Sequence, residues 1–273
     1  MTMMTALPLT PSPPARWRRA ILALAGLAAA APAWAQLRPL DDQALSHVRG
    51  QGLLSISNAS LGGFDFTRIG LDADVALNAN VRNTRLGEYT LATRNGLGAD
   101  IDMPLLQFGR SDAGDAARLV HISNPYFEFV FRGDGAAREV IGLRIGFDGI
   151  SGDVGLKLAS LSGSMRVAGS GADGAALLLD SRLDAGGGKR WDGACAAPCL
   201  PLAQLGGVRA GDASGPSRDF WISMLKTGVQ FQAPAGGAGL PDAAQAGMWL
   251  NWRDRLSALG VNGLTPPNLP KGR

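Results

Sequence analysis

The stretch "FDFTRIGLDADVALNANV", residues 64–81, decides the fold class because its polar and apolar residues alternate one by one. A period of two is typical of a β-strand with one buried side. The pattern therefore predicts one long half-buried strand, or two strands that meet at Gly70. The predicted inner side carries Leu71, Ala73, Val75, Leu77, Ala79 and Val81, and the predicted outer side carries Asp72, Asp74, Asn78 and Asn80.

Similar alternation continues along the chain in "ADIDMPLLQFG", "RLVHISNPYFEFVFRGDG", "REVIGLRIGFDG" and "SGDVGLKLASLSGSMRVAG". Phe127, Phe129 and Phe131 share one side of a strand, and we expect that side to face the core. Many short strands separated by Gly-rich turns indicate an all-β protein. We predict a β domain at residues 53–185, built as a mainly antiparallel sandwich or flattened β-roll, with a β-solenoid as the alternative.

The first 35 residues have the features of an export signal. Arg16, Arg18 and Arg19 precede an apolar run, and Ala33-Trp34-Ala35 matches an A-x-A cleavage site. Removal of this signal peptide leaves 238 of the 273 residues, and it takes three arginines from the 26 cationic residues, leaving 23 against 23 acidic ones. A near-neutral mature chain argues against a nucleic-acid partner. No later run is apolar enough to predict a transmembrane helix.

The two cysteines, Cys195 and Cys199, lie close together in "DGACAAPCLP". In an exported protein an isolated pair favours a disulfide, which here would pin a loop. A reactive dithiol and a metal site are the alternatives, although the spacing is not C-x-x-C and no histidine lies nearby in sequence.

Residues 186–273 are richer in loop-forming residues, and we expect this region to pack on the β domain or to extend it. Within it, "MWLNWRDRLSALG" has the composition of a short helix. Trp249, Trp252 and Arg253 could contact a ligand or partner, with the tryptophans stacking on a sugar. Alternatively, the two tryptophans could cap one end of the β core.

No residue set predicts an enzyme. The chain has no G-x-S-x-G elbow, and His47 and His121 are its only histidines. "GSGADG", residues 169–174, matches G-x-G-x-x-G, but no crossover helix can follow it, so we expect a turn. We predict no catalytic residues, no metal site and no cofactor.

The segment "PLDDQALSHVRGQGLLSIS", from Pro39, has the features of a short helix that ends at Gly50. It resembles the mature N-terminus of a group of exported Gram-negative proteins, some of which are described as pilus or fimbrial assembly proteins of the Fil type. The matching residues are Pro39, Leu40, Asp41, Asp42, Leu45, Ser46, Val48, Gly50, Gln51 and Gly52.

The resemblance implies a non-enzymatic protein of the cell envelope or surface, with other envelope or pilus proteins as partners. It implies a location in the periplasm, the outer membrane or on the cell surface of a Gram-negative bacterium. A glycan- or lipid-binding β module is the alternative function. Residues 36–52 are then a short helical lead-in to the β domain.

Overall fold

The computed structural model describes residues 53–88, 98–195, 198–236 and 239–270, which belong to one compact unit, Gln51–Arg273. The strands are β1 Leu54–Leu61, β2 Phe64–Leu71, β3 Asp74–Leu77, β4 Ala79–Leu86, β5 Ile101–Phe108, β6 Val120–Arg132, β7 Glu139–Lys157, β8 Ser160–Leu161, β9 Gly163–Ser170, β10 Ala176–Asp180, β11 Gly207–Ala210, β12 Trp221–Leu225, β13 Gly247–Trp252 and β14 Leu256–Ala258. Short 3-10 helices occupy Asp115–Arg118, Gly135–Ala137, Ser181–Leu183 and Leu202–Gln204.

The predicted all-β, mainly antiparallel class is confirmed. The opening stretch forms β2, β3 and the start of β4, with breaks at Asp72-Ala73 and at Asn78; Gly70 lies inside β2. Its alternation is present, but the apolar side is only half-buried to exposed, because these strands lie towards the margins of the sheet. The predicted lead-in at residues 36–52 and the signal peptide lie outside the described residues.

The sheet is organised around β7, a 19-residue strand. One edge of β7 pairs with β6 and then β5, and its other edge pairs with β12 and then β11. The pairing then runs from β11 through β14, β9 and β13 to β12, so these strands and β7 close a barrel. Among the named strands of the described residues, β13 and β14 pair with β9 in parallel, and the other pairings are antiparallel. Strands β6, β2 and β1 extend the sheet beyond the barrel.

The inside of the barrel holds the larger of two apolar clusters, with Ile150, Met165, Val167, Leu250 and Trp252 among its members. The second cluster lies on one face of the strands β2, β6, β7, β12 and β13. Val229, Phe231 and Ala244, from the segment that joins β12 to β13, cover this face. We call it the covered face.

The predicted core side of β6 is wrong. Phe127 and Phe129 are exposed, and the alternate residues Tyr126, Glu128 and Val130 are buried. The reason is that the cover contributed by Val229, Phe231 and Ala244 lies on the other side of β6, where Phe231 contacts Phe66 at a ring separation of 5.7 Å.

The described part of region 186–273 contains more strand than its composition predicts, since β11 to β14 are integral to the barrel. The predicted helix in "MWLNWRDRLSALG" is wrong, because this segment forms β13 and β14. A nearly continuous apolar run also fits a strand that is buried on both sides. Here β13 pairs with β12 and β9, and β14 pairs with β11.

Candidate functional site

The side of the sheet opposite the covered face carries two rows of apolar side chains. Residues directly opposite each other on neighbouring strands share a face. The first row is Ile56, Ile69, Phe127, Ile145 and Ile222, and the second is Phe129, Leu143 and Met224. We call these eight side chains the open face.

The open face is exposed over most of its width. Ile56 is 70% exposed, Phe127 is 52% exposed and Ile145 is 44% exposed, and Met224 and Phe129 also exceed a third. Isolated exposed apolar residues are common, but a contiguous apolar patch marks a binding surface or a membrane contact. The open face is therefore the leading candidate site among the described residues.

The first row continues into the barrel. Ile222 lies opposite Leu250 of β13, and Leu250 belongs to the core cluster inside the barrel. At this point a cavity of about 40 Å³ is lined only by apolar side chains, Ile222, Leu250 and Trp252 among them. Ligand pockets usually measure about 300–1,000 Å³, so a bound molecule would lie on the open face and not inside the barrel.

A charged row lies directly behind the open face, on the covered face. Arg68, Glu128 and Arg144 occupy consecutive positions across β2, β6 and β7. Arg144 Nε donates to Glu128 at 2.5 Å, and Arg68 Nε donates to the other oxygen of Glu128 at 3.4 Å. Arg68 also bonds Asp148 at 3.0 Å. The row joins three of the five strands that display the open face.

Aromatic rings enclose this charged row. The Arg68 guanidinium lies 3.6 Å from the ring centroid of Tyr126, and that of Arg144 lies 4.2 Å from the ring of Phe231. Burial raises the pKa of Tyr126, although the two arginines oppose this effect. The tyrosine therefore remains a neutral platform for the arginines at physiological pH.

A second concavity, a cleft of about 290 Å³, contains the predicted residue Arg253. Its lining also includes Arg166, Arg182, Arg255, Asp219 and Asp254. Arg253 donates two hydrogen bonds of 2.9 Å to Asp180, at the end of β10. Arg182 pairs in the same way with Asp242, which also accepts from Ser164.

The carboxylates in and beside the cleft already accept hydrogen bonds from neighbouring groups of the protein. The hydrogen bonds from Arg182 lower the pKa of Asp242, despite partial burial. Burial raises the pKa of Asp219, which nevertheless accepts the backbone N–H groups of Arg253 and Asp254 and so holds the turn between β13 and β14. Arg182, Arg253 and Arg255 are thus each paired with a carboxylate of the protein, which leaves little positive charge for an outside ligand.

The predicted contact role of the two tryptophans conflicts with their positions. Trp249 and Trp252 are each 3% exposed, in the covered-face cluster and the barrel core respectively. A buried indole cannot stack on a sugar at the surface, so the burial of both tryptophans is more compatible with the alternative, in which they cap one end of the β core. Of the three predicted contact residues, only Arg253 lines a cavity.

The cysteine prediction is confirmed, since Cys195 and Cys199 form a disulfide with their Cα atoms 5.9 Å apart. Nowhere in the described ranges do three or more His, Cys, Asp or Glu side chains come together as a metal site. The described ranges also contain no helix that is long and apolar enough to cross a membrane.

Sequence reasoning missed the open face. The alternation of Phe127, Phe129 and Phe131 was a usable signal, but it identifies an apolar side without showing whether that side is covered. Comparison of the chain with protein-family models, curated proteins and solved structures returns no match to any of the three.

Proposed function

We propose that the protein is a non-enzymatic exported protein of the Gram-negative cell envelope that binds lipid through its open face. The observation that carries the proposal is the apolar surface formed by Ile56, Ile69, Phe127, Ile145 and their neighbours, which continues into the barrel core. The export signal predicted at residues 1–35 supports the location.

Lipid is favoured over a protein partner by the chemistry of the surface. Protein interfaces combine apolar contacts with frequent hydrogen bonds that fix orientation. The eight side chains of the open face include no donor or acceptor group, and Thr67 and Asn58 extend its second row only at the β1–β2 margin. Acyl chains need no such partners, because their transfer from water to an apolar surface is favourable by itself.

A cation lies at one end of this surface. The guanidinium of Arg138 is 4.1 Å from the ring centroid of Phe131, which follows Phe129 on the same side of β6. Arg138 is exposed and has no ion-pair partner among the described residues. A phosphate headgroup could therefore bond to Arg138 while the acyl chains lie on the open face.

The test is co-sedimentation of the mature chain with vesicles of phosphatidylcholine alone and mixed with phosphatidylglycerol. We expect binding that is stronger to the anionic vesicles. Changing both Phe127→Ser and Ile145→Ser should weaken it at least about tenfold, because both side chains lose their apolar contact with the lipid. Since both side chains are exposed, the double variant should remain folded, which circular dichroism checks.

The matched control changes Leu183→Ser and Leu264→Ser, which are more exposed than Phe127 and Ile145 but lie outside the open face. This variant should bind as the parent does. The proposal is wrong if the parent chain does not bind the vesicles, or if the two double variants lose binding equally.

A part in pilus or fimbrial assembly stays a prediction. It rests on the resemblance of residues 39–52, which lie outside the described residues. The glycan alternative has less support, because the tryptophans that suggested it are buried.

A further inference from the structure

The first strand, β1, has one edge without a partner in the described part of the chain. β1 pairs with β2 alone, as the outermost strand of the sheet. The two are joined by a two-residue turn at Gly62-Gly63, with φ angles of 60° and 80°. Both angles lie in the left-handed region that such a hairpin turn requires, and Gly adopts it without strain.

The free edge presents the backbone groups of alternate residues. The carbonyl of Leu53 accepts the N–H of Asp72 from the β2 side, at 2.9 Å. In an antiparallel ladder the bonded residues alternate, so the odd-numbered residues of β1 bond to β2. Leu54, Ile56, Asn58 and Ser60 therefore direct their N–H and C=O groups to the free edge.

This edge lacks the features by which proteins block strand addition. The sequence of β1 is "LSISNASL", with no charged residue, no proline and no glycine. Edge strands usually carry lysine, proline or a bulge to prevent pairing with another chain. A further strand can add to β1 through main-chain hydrogen bonds.

We propose that the partner is β1 of a second copy, paired antiparallel across a two-fold axis. In an antiparallel pair of identical strands the central residue faces its own copy, and every other residue faces the residue at equal distance on the other side of the centre. β1 carries no charged residue, so no like charges meet in such a pair. With Ser57 opposite its own copy, all four free-edge residues face one another and form about eight hydrogen bonds. The open faces of the two copies then lie on the same side.

The first test is sedimentation velocity of the mature chain over a range of concentrations. The chain should form a dimer, and Ile56→Pro should weaken dimerisation at least tenfold. Proline at this position removes an N–H that points to the free edge, while the bonds between β1 and β2 stay intact. The control Ile56→Val keeps that N–H and should still dimerise. A parent chain that is monomeric throughout, or an Ile56→Pro variant that still dimerises, would overturn the proposal.

The second test fixes the register. Ser57→Cys should form an intermolecular disulfide on oxidation, because Ser57 faces its own copy in a non-bonded pair, where Cα atoms are about 4.5 Å apart. Ala59→Cys lies on the same side of β1 but opposite Ser55 of the other copy, so it should remain unlinked. Absence of the Ser57→Cys cross-link would contradict the pairing. Neither test involves lipid, so this inference and the proposed function can fail separately.

Discussion

Replacing Glu128 with alanine is expected to lower the free energy of unfolding by about 3–5 kcal/mol, because it leaves a buried charge without its partner. Arg144 is 3% exposed, and among the described residues its guanidinium pairs with no carboxylate other than Glu128. The rings of Tyr126, Trp221 and Phe231 surround it and can replace only part of the lost interaction. Urea unfolding followed by circular dichroism measures the loss.

The matched control for this prediction is Glu139→Ala, on the neighbouring strand β7. Glu139 pairs with Lys226 and Arg132 at the surface, where solvent screens the charges. This variant should unfold at nearly the same urea concentration as the parent. Equal losses for Glu128→Ala and Glu139→Ala would show that the charged row behind the open face does not hold these strands together.

Trp252→Ala is expected to cost about 3–5 kcal/mol of unfolding free energy, since it removes a large side chain from the barrel core. The indole lies edge-on to Phe220 with ring centroids 5.0 Å apart, and Phe220 stacks on Phe147. Its Nε1 donates a hydrogen bond of 3.0 Å to Ser217, which is fully buried.

Trp252→Phe separates packing from hydrogen bonding in the same experiment. It keeps an aromatic ring beside Phe220 but leaves the buried Ser217 hydroxyl without its donor, so a loss of about 1–3 kcal/mol is expected. If Trp252→Ala instead unfolds like the parent and changes only ligand binding, the contact role first predicted for Trp252 would be restored and its core role would be wrong.

The fold class was predictable from sequence because period-two alternation depends on local residue order. Which side of a strand is covered was not predictable in the same way. For β6 that choice depends on Val229, Phe231 and Ala244, about a hundred residues further along the chain. The pattern "YFEFVF" therefore predicts that the phenylalanines face the core. In the structure Glu128, which lies between two of them, is buried instead.

Long-range register explains the other differences. Glu128 can be buried only because Arg144 and Arg68 stand opposite it on neighbouring strands, and neither pairing is visible in sequence. In "MWLNWR" the apolar residues are nearly continuous, and such a run fits a helix and a strand buried on both sides equally well. The cysteine pair, by contrast, could be predicted from its local spacing together with the predicted export signal.

The most direct test of lipid binding by the open face is a fluorescent probe attached at Ile145→Cys in the mature chain, with the native disulfide intact. On addition of anionic vesicles, an environment-sensitive dye at this position should shift to shorter wavelength and brighten as water is excluded. The same dye at Lys157→Cys, exposed at the far end of β7, should not change. An unchanged spectrum at position 145, or an equal shift at both positions, would contradict the account.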